Sequence, residues 1–241
     1  MRESFKRIEE DAGEIYIEAD MSAYAYSERY SWLFSVFIKY DSLEESSEGF
    51  EDFLETKESL IIAIEHDEKA KYVGSRVVDG WNELYFYADD SKKLDIAVAK
   101  MLSNSGYIYE SNIVKDNKWD FHYKYIKPSE LELAHIQSDK IIFLLEEEGD
   151  QIQEVRTVEH YLSFTTPTQK EKFIAELPFE GFEFKDEISS DDFEHAIAVI
   201  KEHNVEHEVV QKEVKALFDA VKKEKGFYEG WSTLLVEKQS D

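Results

Sequence analysis

The string HNVEH at residues 203–207 has the most specific chemical meaning in this sequence. Its H-x-x-E-H spacing occurs in zinc hydrolases, where two histidines one helical turn apart bind the metal and the glutamate beside them acts as the base. Such a site also needs a third protein ligand, and neither Glu208 nor Glu213 lies in a recognisable frame for one. A predicted strand-to-helix junction crosses the string and leaves His203 before the helix. We therefore expect polar residues at a helix start here, with no metal and no cofactor.

Four residues of the C-terminal half are candidates either for partner binding or for a structural motif: His160, Tyr228, Gly230 and Trp231. A histidine in the middle of a predicted strand is more often hydrogen-bonded within the fold than catalytic, and no serine or threonine lies in a nucleophile-elbow motif. The segment GFYEGW at residues 226–231 lacks the lysine and repeated close glycines of a phosphate loop. We interpret its first glycine as a helix end, Gly230 as relief of crowding and Trp231 as a core side chain. A recognition surface is the alternative.

Two aromatic strings, YFY at residues 85–87 and FHY at 121–123, are compatible with base stacking on a sheet. Stacking platforms for RNA accompany a basic groove, which an acidic half does not supply. We expect strand residues that pack on helices and cover the opposite sheet face, with an exposed patch for a protein partner as the alternative.

Carboxylate pairs and triplets could in principle bind calcium or magnesium. They occur at residues 44–45, 146–148 and 191–192. None lies in an ordered ligand loop of the EF-hand type, so we interpret them as solvated faces available to a basic partner.

The charge balance is strongly acidic, with a formal net charge of −26 over 241 residues. Residues 1–150 contain 34 acidic and 17 basic residues, and residues 151–241 contain 20 and 11, so the halves have charges of −17 and −9. Such a field repels nucleic acid and anionic lipid and favours encounter with a basic protein surface.

Cysteine is absent, which removes disulfides and thiolate chemistry. The charged start MRESFKRIEEDAGE is unlike a signal peptide, and no stretch approaches the roughly 20 apolar residues of a membrane helix. We expect a cytoplasmic protein, with its oligomeric state open.

A change of hydrophobic period after the acidic run that ends at Gly149-Asp150 predicts two domains, residues 1–150 and 151–241. The second half has the order β-α-β-β-α-β. Its predicted elements are strands at 155–165, 182–188, 193–202 and 228–236, and helices at 167–177 and 205–225, the first helix having a Thr166–Gln169 capping box.

The first half shows the same order with additions. Its predicted elements are strands at 31–40, 71–78, 83–88 and 107–114, helices at 49–66 and 90–103, an added strand at 119–125, an added helix at 129–147 and an edge strand at 14–20. The predicted fold class is α+β, with two ferredoxin-like antiparallel-sheet sandwiches in tandem.

The C-terminal half contains R-x-V-x-H-x-x-x-F at residues 156–164 and the ending GFYEGW at residues 226–231. With these motifs it resembles, over residues 153–237, the regulator of ribonuclease E activity B (RraB) family. The family favours aspartate at the position of Glu229.

The N-terminal half contains Trp32, YFYAD at 85–89, Gly106-Tyr107, D-x-x-W-x-F at 116–121 and Lys127-Pro128. With these pieces it is similar, over most of residues 28–130, to a bacterial domain of unknown function, family number 695. That family implies no activity.

The RraB resemblance implies a non-catalytic protein that binds an RNA-processing endonuclease and lowers its activity. The expected partner is therefore a protein with a basic surface, such as a ribonuclease. The alternative is a small-molecule-binding or enzymatic protein with a pocket between the two domains.

Overall fold

The computed structural model describes residues 1–39, 48–90, 92–188 and 195–237, and the chain divides into two compact units, Met1–Pro128 and Ser129–Asp241. Within these described residues, each unit is of mixed α+β type and contains one antiparallel sheet, of six strands in the first and four in the second. None of the helices in these described ranges combines the length and apolar composition of a membrane span.

The first unit begins with a β-hairpin and continues with strands separated by two helices. In chain order its elements are β1 (Arg2–Glu9), β2 (Gly13–Asp20), a 3₁₀ turn (Ala23–Tyr26), β3 (Trp32–Lys39), α1 (Glu48–Glu65), β4 (Ala70–Val78), β5 (Trp81–Ala88), α2 (Leu94–Leu102), β6 (Tyr109–Lys115) and a π-helical turn (His122–Ile126). Neighbouring strands are antiparallel in the order β1-β2-β4-β5-β3-β6.

Both faces of this sheet are apolar because β3 and β5 place hydrophobic side chains on alternate sides. Phe34 and Phe86 join the cluster under α1 and α2, whereas Leu33 and Tyr87 join a second cluster beneath the 3₁₀ and π-helical turns. Between β4 and β5, the Asp79-Gly80 turn has positive φ at both residues, as is typical of two-residue Asp-Gly hairpin turns.

Three predictions for this unit were wrong in detail. The strand predicted at 14–20 is β2, but β1 pairs along its outer side, so β2 is not an edge. The predicted strand at 119–125 is instead the π-helical turn. The helix predicted from Asp90 begins at Leu94, because the Asp90 carboxylate accepts the Lys92 N–H at 2.8 Å and closes a turn before the helix.

The second unit contains the order β-α-β-β-α-β after one leading helix. Its elements are α3 (Glu130–Glu147), β7 (Arg156–Ser163), α4 (Pro167–Ala175), β8 (Glu183–Ile188), β9 (Ala196–His203), α5 (His207–Lys223) and β10 (Phe227–Thr233). The strands are antiparallel in the order β10-β7-β9-β8. The predicted Thr166–Gln169 capping box is present at the start of α4.

Helix α3 belongs to the compact second unit, where it packs on α5 and β10. Its N-cap, Ser129, forms a capping box with Glu132 directly after Pro128. The expected division near residue 150 therefore differs from the observed one, and residue 150 lies between α3 and β7. The acidic run that motivated the expectation is the exposed end of α3, which the sequence does not distinguish from a domain junction.

Candidate functional site

His160 lies at the centre of the second unit. It is 0 % exposed on the helix-facing side of β7, where its Nδ1 lies 2.9 Å from the Tyr228 hydroxyl of β10. On the other side of the ring, Nε2 lies 3.5 Å from Nε2 of His203, the last residue of β9. Tyr228, His160 and His203 thus connect three strands, and we call these three side chains the buried histidine line.

The hydrogen bonds of this line have one consistent direction. The Asn204 carbonyl can only accept, so the Nδ1 of His203, 2.5 Å away, donates to it. A neutral His203 then accepts at Nε2 from the Nε2–H of His160, and the Nδ1 of His160 accepts from the Tyr228 hydroxyl.

Burial keeps these groups neutral. Burial, with smaller contributions from the nearby His203 and Lys201, lowers the pKa of His160 to about 3. Burial also lowers the pKa of His203 and raises that of Tyr228 well above its usual range. A buried histidine that stays neutral at physiological pH and bonds only to neighbouring strands is suited to holding the sheet together.

A β-bulge explains the Tyr-x-Gly-Trp part of the motif. Tyr228 pairs with Leu162, but Trp231 pairs with His160, because the register shifts between Tyr228 and Gly230. The extra residue places Tyr228 and Trp231 on the same sheet face although they are three positions apart. Gly230 has φ of +130°, which favours glycine, and no atom lies within 4 Å of the place where its Cβ would be. The interpretation of Gly230 as relief of crowding was therefore wrong.

Trp231 is 4 % exposed and joins β10 to α3. Its indole N–H donates to the Ser138 hydroxyl at 3.0 Å, and that hydroxyl donates to the Ala134 carbonyl at 2.8 Å. Ser138 was missed by sequence reasoning. The sequence feature that could have identified Ser138 is its place as a small polar residue midway between Ala134 and Ile142 on the buried stripe of α3.

Close packing accounts for Gly226 at the start of the motif. A Cβ there would lie 2.7 Å from both Phe164 Cδ1 and Val221 Cγ2. The Gly226 N–H donates to the Val221 carbonyl at 2.9 Å just beyond α5. The GFYEGW segment is thus accounted for largely by the path of the backbone and by the core.

The HNVEH string does not assemble as a metal site. His203 ends β9 and points into the core, while His207 begins α5 and pairs with Asp139 of α3 at 2.9 Å. The position of His203 before the helix was predicted correctly. Across residues 1–39, 48–90, 92–188 and 195–237, no three histidine, aspartate or glutamate side chains form a metal-binding group.

A surface groove of about 280 Å³ lies beside the motif, between α3, α5 and the start of β10. Lys222 of α5 is one of its lining residues. The Nζ atom is 2.5 Å from the Glu130 carboxylate, 4.6 Å from the ring centre of Phe227 and 5.3 Å from that of Phe218. Sequence reasoning did not identify this groove. The only local signal is the i, i+4 spacing of Phe218 and Lys222 on α5.

The opposite face of the second sheet presents polar side chains around Ala198 and Ile200 of the central strand β9. Its side chains pair across strands: Thr157 with Glu202, Glu159 with Lys185, Tyr161 with Ser232 and Ser163 with Glu229. Three of the eight are glutamates, so this face matches the acidic balance of the chain.

In the first unit, the D-x-x-W-x-F motif covers the second sheet face. Trp119 stacks on Tyr87 with ring centres 4.0 Å apart, and its indole N–H donates to the Tyr30 carbonyl at 2.7 Å. The Asp116 carboxylate accepts the Tyr87 hydroxyl at 2.6 Å and the Phe121 N–H at 3.0 Å. Hydrogen bonding to its charged form lowers the pKa of Asp116, against the effect of burial.

These motif residues agree with a family-model match over residues 4–126, half of the chain, to a family described as "Family of unknown function (DUF695)". The chain belongs to the DUF695 family. Its second unit matches a further model, "Regulator of ribonuclease activity B" (RraB), over residues 135–233. Both resemblances are confirmed. A search of curated proteins finds no match.

The DUF695 match contains the covering segment of the first unit, and the RraB match contains the buried histidine line and the GFYEGW segment. Residues 135–233 extend from within α3 to the end of β10. Glu130, at the mouth of the groove, lies five positions before the RraB match. The RraB match points to regulation of a ribonuclease as the role of this unit.

Proposed function

We propose that this chain is a non-catalytic regulator that binds an RNA-processing endonuclease of the ribonuclease E type and lowers its activity. The observation behind the proposal is the RraB match over residues 135–233, which includes all four strands of the second unit. We place the protein in the bacterial cytoplasm, where such a target acts.

The topology supports an RraB-type unit. We interpret both units as ferredoxin-like, because β10-β7-β9-β8 and β6-β3-β5-β4 give the same order when each core is numbered along the chain. The first unit adds β1 and β2 at one edge. We take Ser129, the N-cap of α3, as the start of the regulatory domain.

The buried histidine line supports a role without catalysis. A general base needs contact with its substrate and a pKa near the working pH, whereas His160 is fully buried with a pKa of about 3. We propose that His160, Tyr228, Gly230 and Trp231 shape the sheet and hold β10 against α3, and that the partner contacts other residues.

Charge supports a basic protein as the partner. The net charge of −26 favours association with a positively charged surface and disfavours direct binding of RNA. Exposed carboxylates are available on the second unit, as at residues 146–148 at the end of α3. Electrostatic attraction of this kind increases the association rate and weakens as salt is raised.

The test measures cleavage of a labelled RNA by a purified ribonuclease E-type endonuclease at increasing concentrations of this chain. We expect the rate to fall at low salt and to recover as salt is raised. A matched acidic protein without these domains is the control for nonspecific charge effects. Absence of both a complex and a rate change would remove this target, and cleavage of RNA by the chain alone would overturn the non-catalytic assignment.

A further inference from the structure

The groove between α3, α5 and β10 has the composition of a site for a basic side chain. Two phenylalanine rings, Phe218 and Phe227, form part of its wall, and the Glu130 carboxylate lies at its mouth. Aromatic rings attract cations placed within about 6 Å of their centres, and a carboxylate adds a charged hydrogen-bond acceptor. A volume of about 280 Å³ is sufficient for one long side chain.

The chain itself shows that a cation fits there. The ammonium group of Lys222 touches Glu130 and lies within 5.3 Å of both ring centres. By contrast, Lys215, two turns earlier on α5, pairs with Asp219 in an exposed i, i+4 pair. Lys222 therefore occupies the aromatic and acidic environment that an incoming basic group would need.

Lys222 is held by contacts that a competitor can replace. The side chain of Glu130 is 66 % exposed and that of Lys222 is 30 % exposed, and ion pairs near the surface contribute little to stability. The Glu130 charge is also favoured by its place in the first turn of α3, so it does not depend on Lys222. Arginine would suit the groove better than lysine, since its planar group stacks on rings and binds a carboxylate through two hydrogen bonds.

We propose that this groove is the docking site for an arginine side chain of the protein partner, which displaces Lys222 from Glu130. The proposal rests on the proposed function in one respect, namely that the partner is a protein with a basic surface. The docking site combines Glu130, which lies outside the RraB match, with Phe218, Lys222 and Phe227, which lie inside it.

The test is an NMR titration of the full chain with the capped tripeptide acetyl-Gly-Arg-Gly-amide. The same tripeptide with citrulline in place of arginine, which keeps the shape and removes the charge, is the ligand control. We expect the arginine peptide to shift amide signals of the first two turns of α3 and of residues 227–229. The affinity of the citrulline peptide should be lower by a factor of about five or more. Equal binding of the two peptides, or shifts located elsewhere, would overturn the proposal.

Variants give effects of opposite sign. We expect Glu130→Gln and Phe227→Ala to weaken the arginine peptide by about five-fold each, and Lys222→Ala to strengthen it by about three-fold because the competing cation is gone. Lys215→Ala changes the net charge equally and should leave the affinity unchanged. Similar gains from Lys222→Ala and Lys215→Ala would show a general charge effect and refute displacement.

The ribonuclease assay separates this proposal from the proposed function. If the arginine peptide binds in the groove while the endonuclease is neither bound nor inhibited, the docking site stands and the named target fails. If the endonuclease is inhibited equally by the parent chain, Glu130→Gln, Phe227→Ala and Lys222→Ala, the regulator function stands and the docking site is refuted.

Discussion

In the first unit both faces of the sheet are covered by apolar clusters, whereas in the second unit one face is covered and the other presents polar pairs. The core strands of the two sheets have the same order along the chain. The difference lies in the alternate positions of central strands. On β5 these are Tyr85 and Tyr87, and on β7 they are Thr157, Glu159 and Tyr161.

This comparison shows how one strand order can serve two purposes. In the first unit the DUF695 motif residues Asp116 and Trp119 cover one face of the sheet, so their contacts contribute to the stability of the fold. In the second unit the RraB motif residues His160 and Trp231 are also buried, but Phe227 of the same motif lines the groove, and the groove and the polar face of the sheet are open to solvent. Exposed surface next to a rigid core is where binding residues are expected.

The largest expected effect comes from removing the cover of the first sheet. Trp119→Ala should lower the free energy of unfolding of the first unit by about 3 to 5 kcal/mol, because a buried ring, its stacking on Tyr87 and its hydrogen bond are all lost. Hydrogen exchange measured during urea unfolding follows peptides of residues 1–128 and 129–241 separately.

The matched change on the polar face is Tyr161→Ala, which removes a half-buried ring and its bond to Ser232. We expect a loss of about 1 kcal/mol in the second unit, from one hydrogen bond and limited packing. Equal losses from Trp119→Ala and Tyr161→Ala would mean that the two faces do not differ in packing energy, and the comparison would fail.

Acid should weaken the second unit through its buried histidine. The pKa of His160 falls from 6.5 to about 3 on folding, so between these values the unfolded chain binds more protons and stability decreases as pH decreases. The loss from His160 is roughly 1.4 kcal/mol per pH unit, or roughly 3 kcal/mol at pH 4.5. Urea unfolding followed by hydrogen exchange of peptides from residues 129–241 at several pH values measures this slope.

His160→Gln should reduce this slope, because the side chain that takes up a proton on unfolding is then absent. The remaining slope would include contributions from His203 and His135, because burial lowers the pKa of both. An identical slope in the parent chain and in His160→Gln would assign the acid sensitivity to other groups.

Local sequence signals predicted much of the second unit. The capping box of Thr166 and Gln169 and the amphipathic pattern of α5 are formed by residues close in sequence, and the order β-α-β-β-α-β follows from them. The first unit contains more exceptions. Trp119 has a positive φ of 59°, which its contacts with Tyr87 and Tyr30 stabilise and which no local pattern predicts.

The candidate site was predicted in part. His160, Tyr228 and Trp231 were identified by their motif and do meet at one core, but their partners His203 and Ser138 come from other elements. The groove was not predicted because Glu130, Lys222 and Phe227 belong to three separate elements. Only the packing of α3 on α5 and β10 brings them together.

The smallest expected difference between the two units is in the cost of replacing a glycine with positive φ, one in each unit. Gly230 has φ of +130° within the β-bulge, and Gly13 has φ of +73° beside the β1–β2 turn, and neither has an atom within 4 Å of its Cβ position. Gly230→Ala should cost about 2 kcal/mol and Gly13→Ala about 1 kcal/mol, since a side chain tolerates the left-handed helical region better than φ near +130°.

The two glycine substitutions should also differ in which residues show increased amide exchange. Gly230→Ala strains the bulge that places Tyr228 and Trp231 on one face, so it should increase amide exchange in both β10 and α3. Gly13→Ala should affect only the hairpin. If exchange in α3 is unchanged by Gly230→Ala, then the bulge does not control the contact between Trp231 and Ser138, and the interpretation of Gly230 as the residue that directs Trp231 toward α3 is wrong.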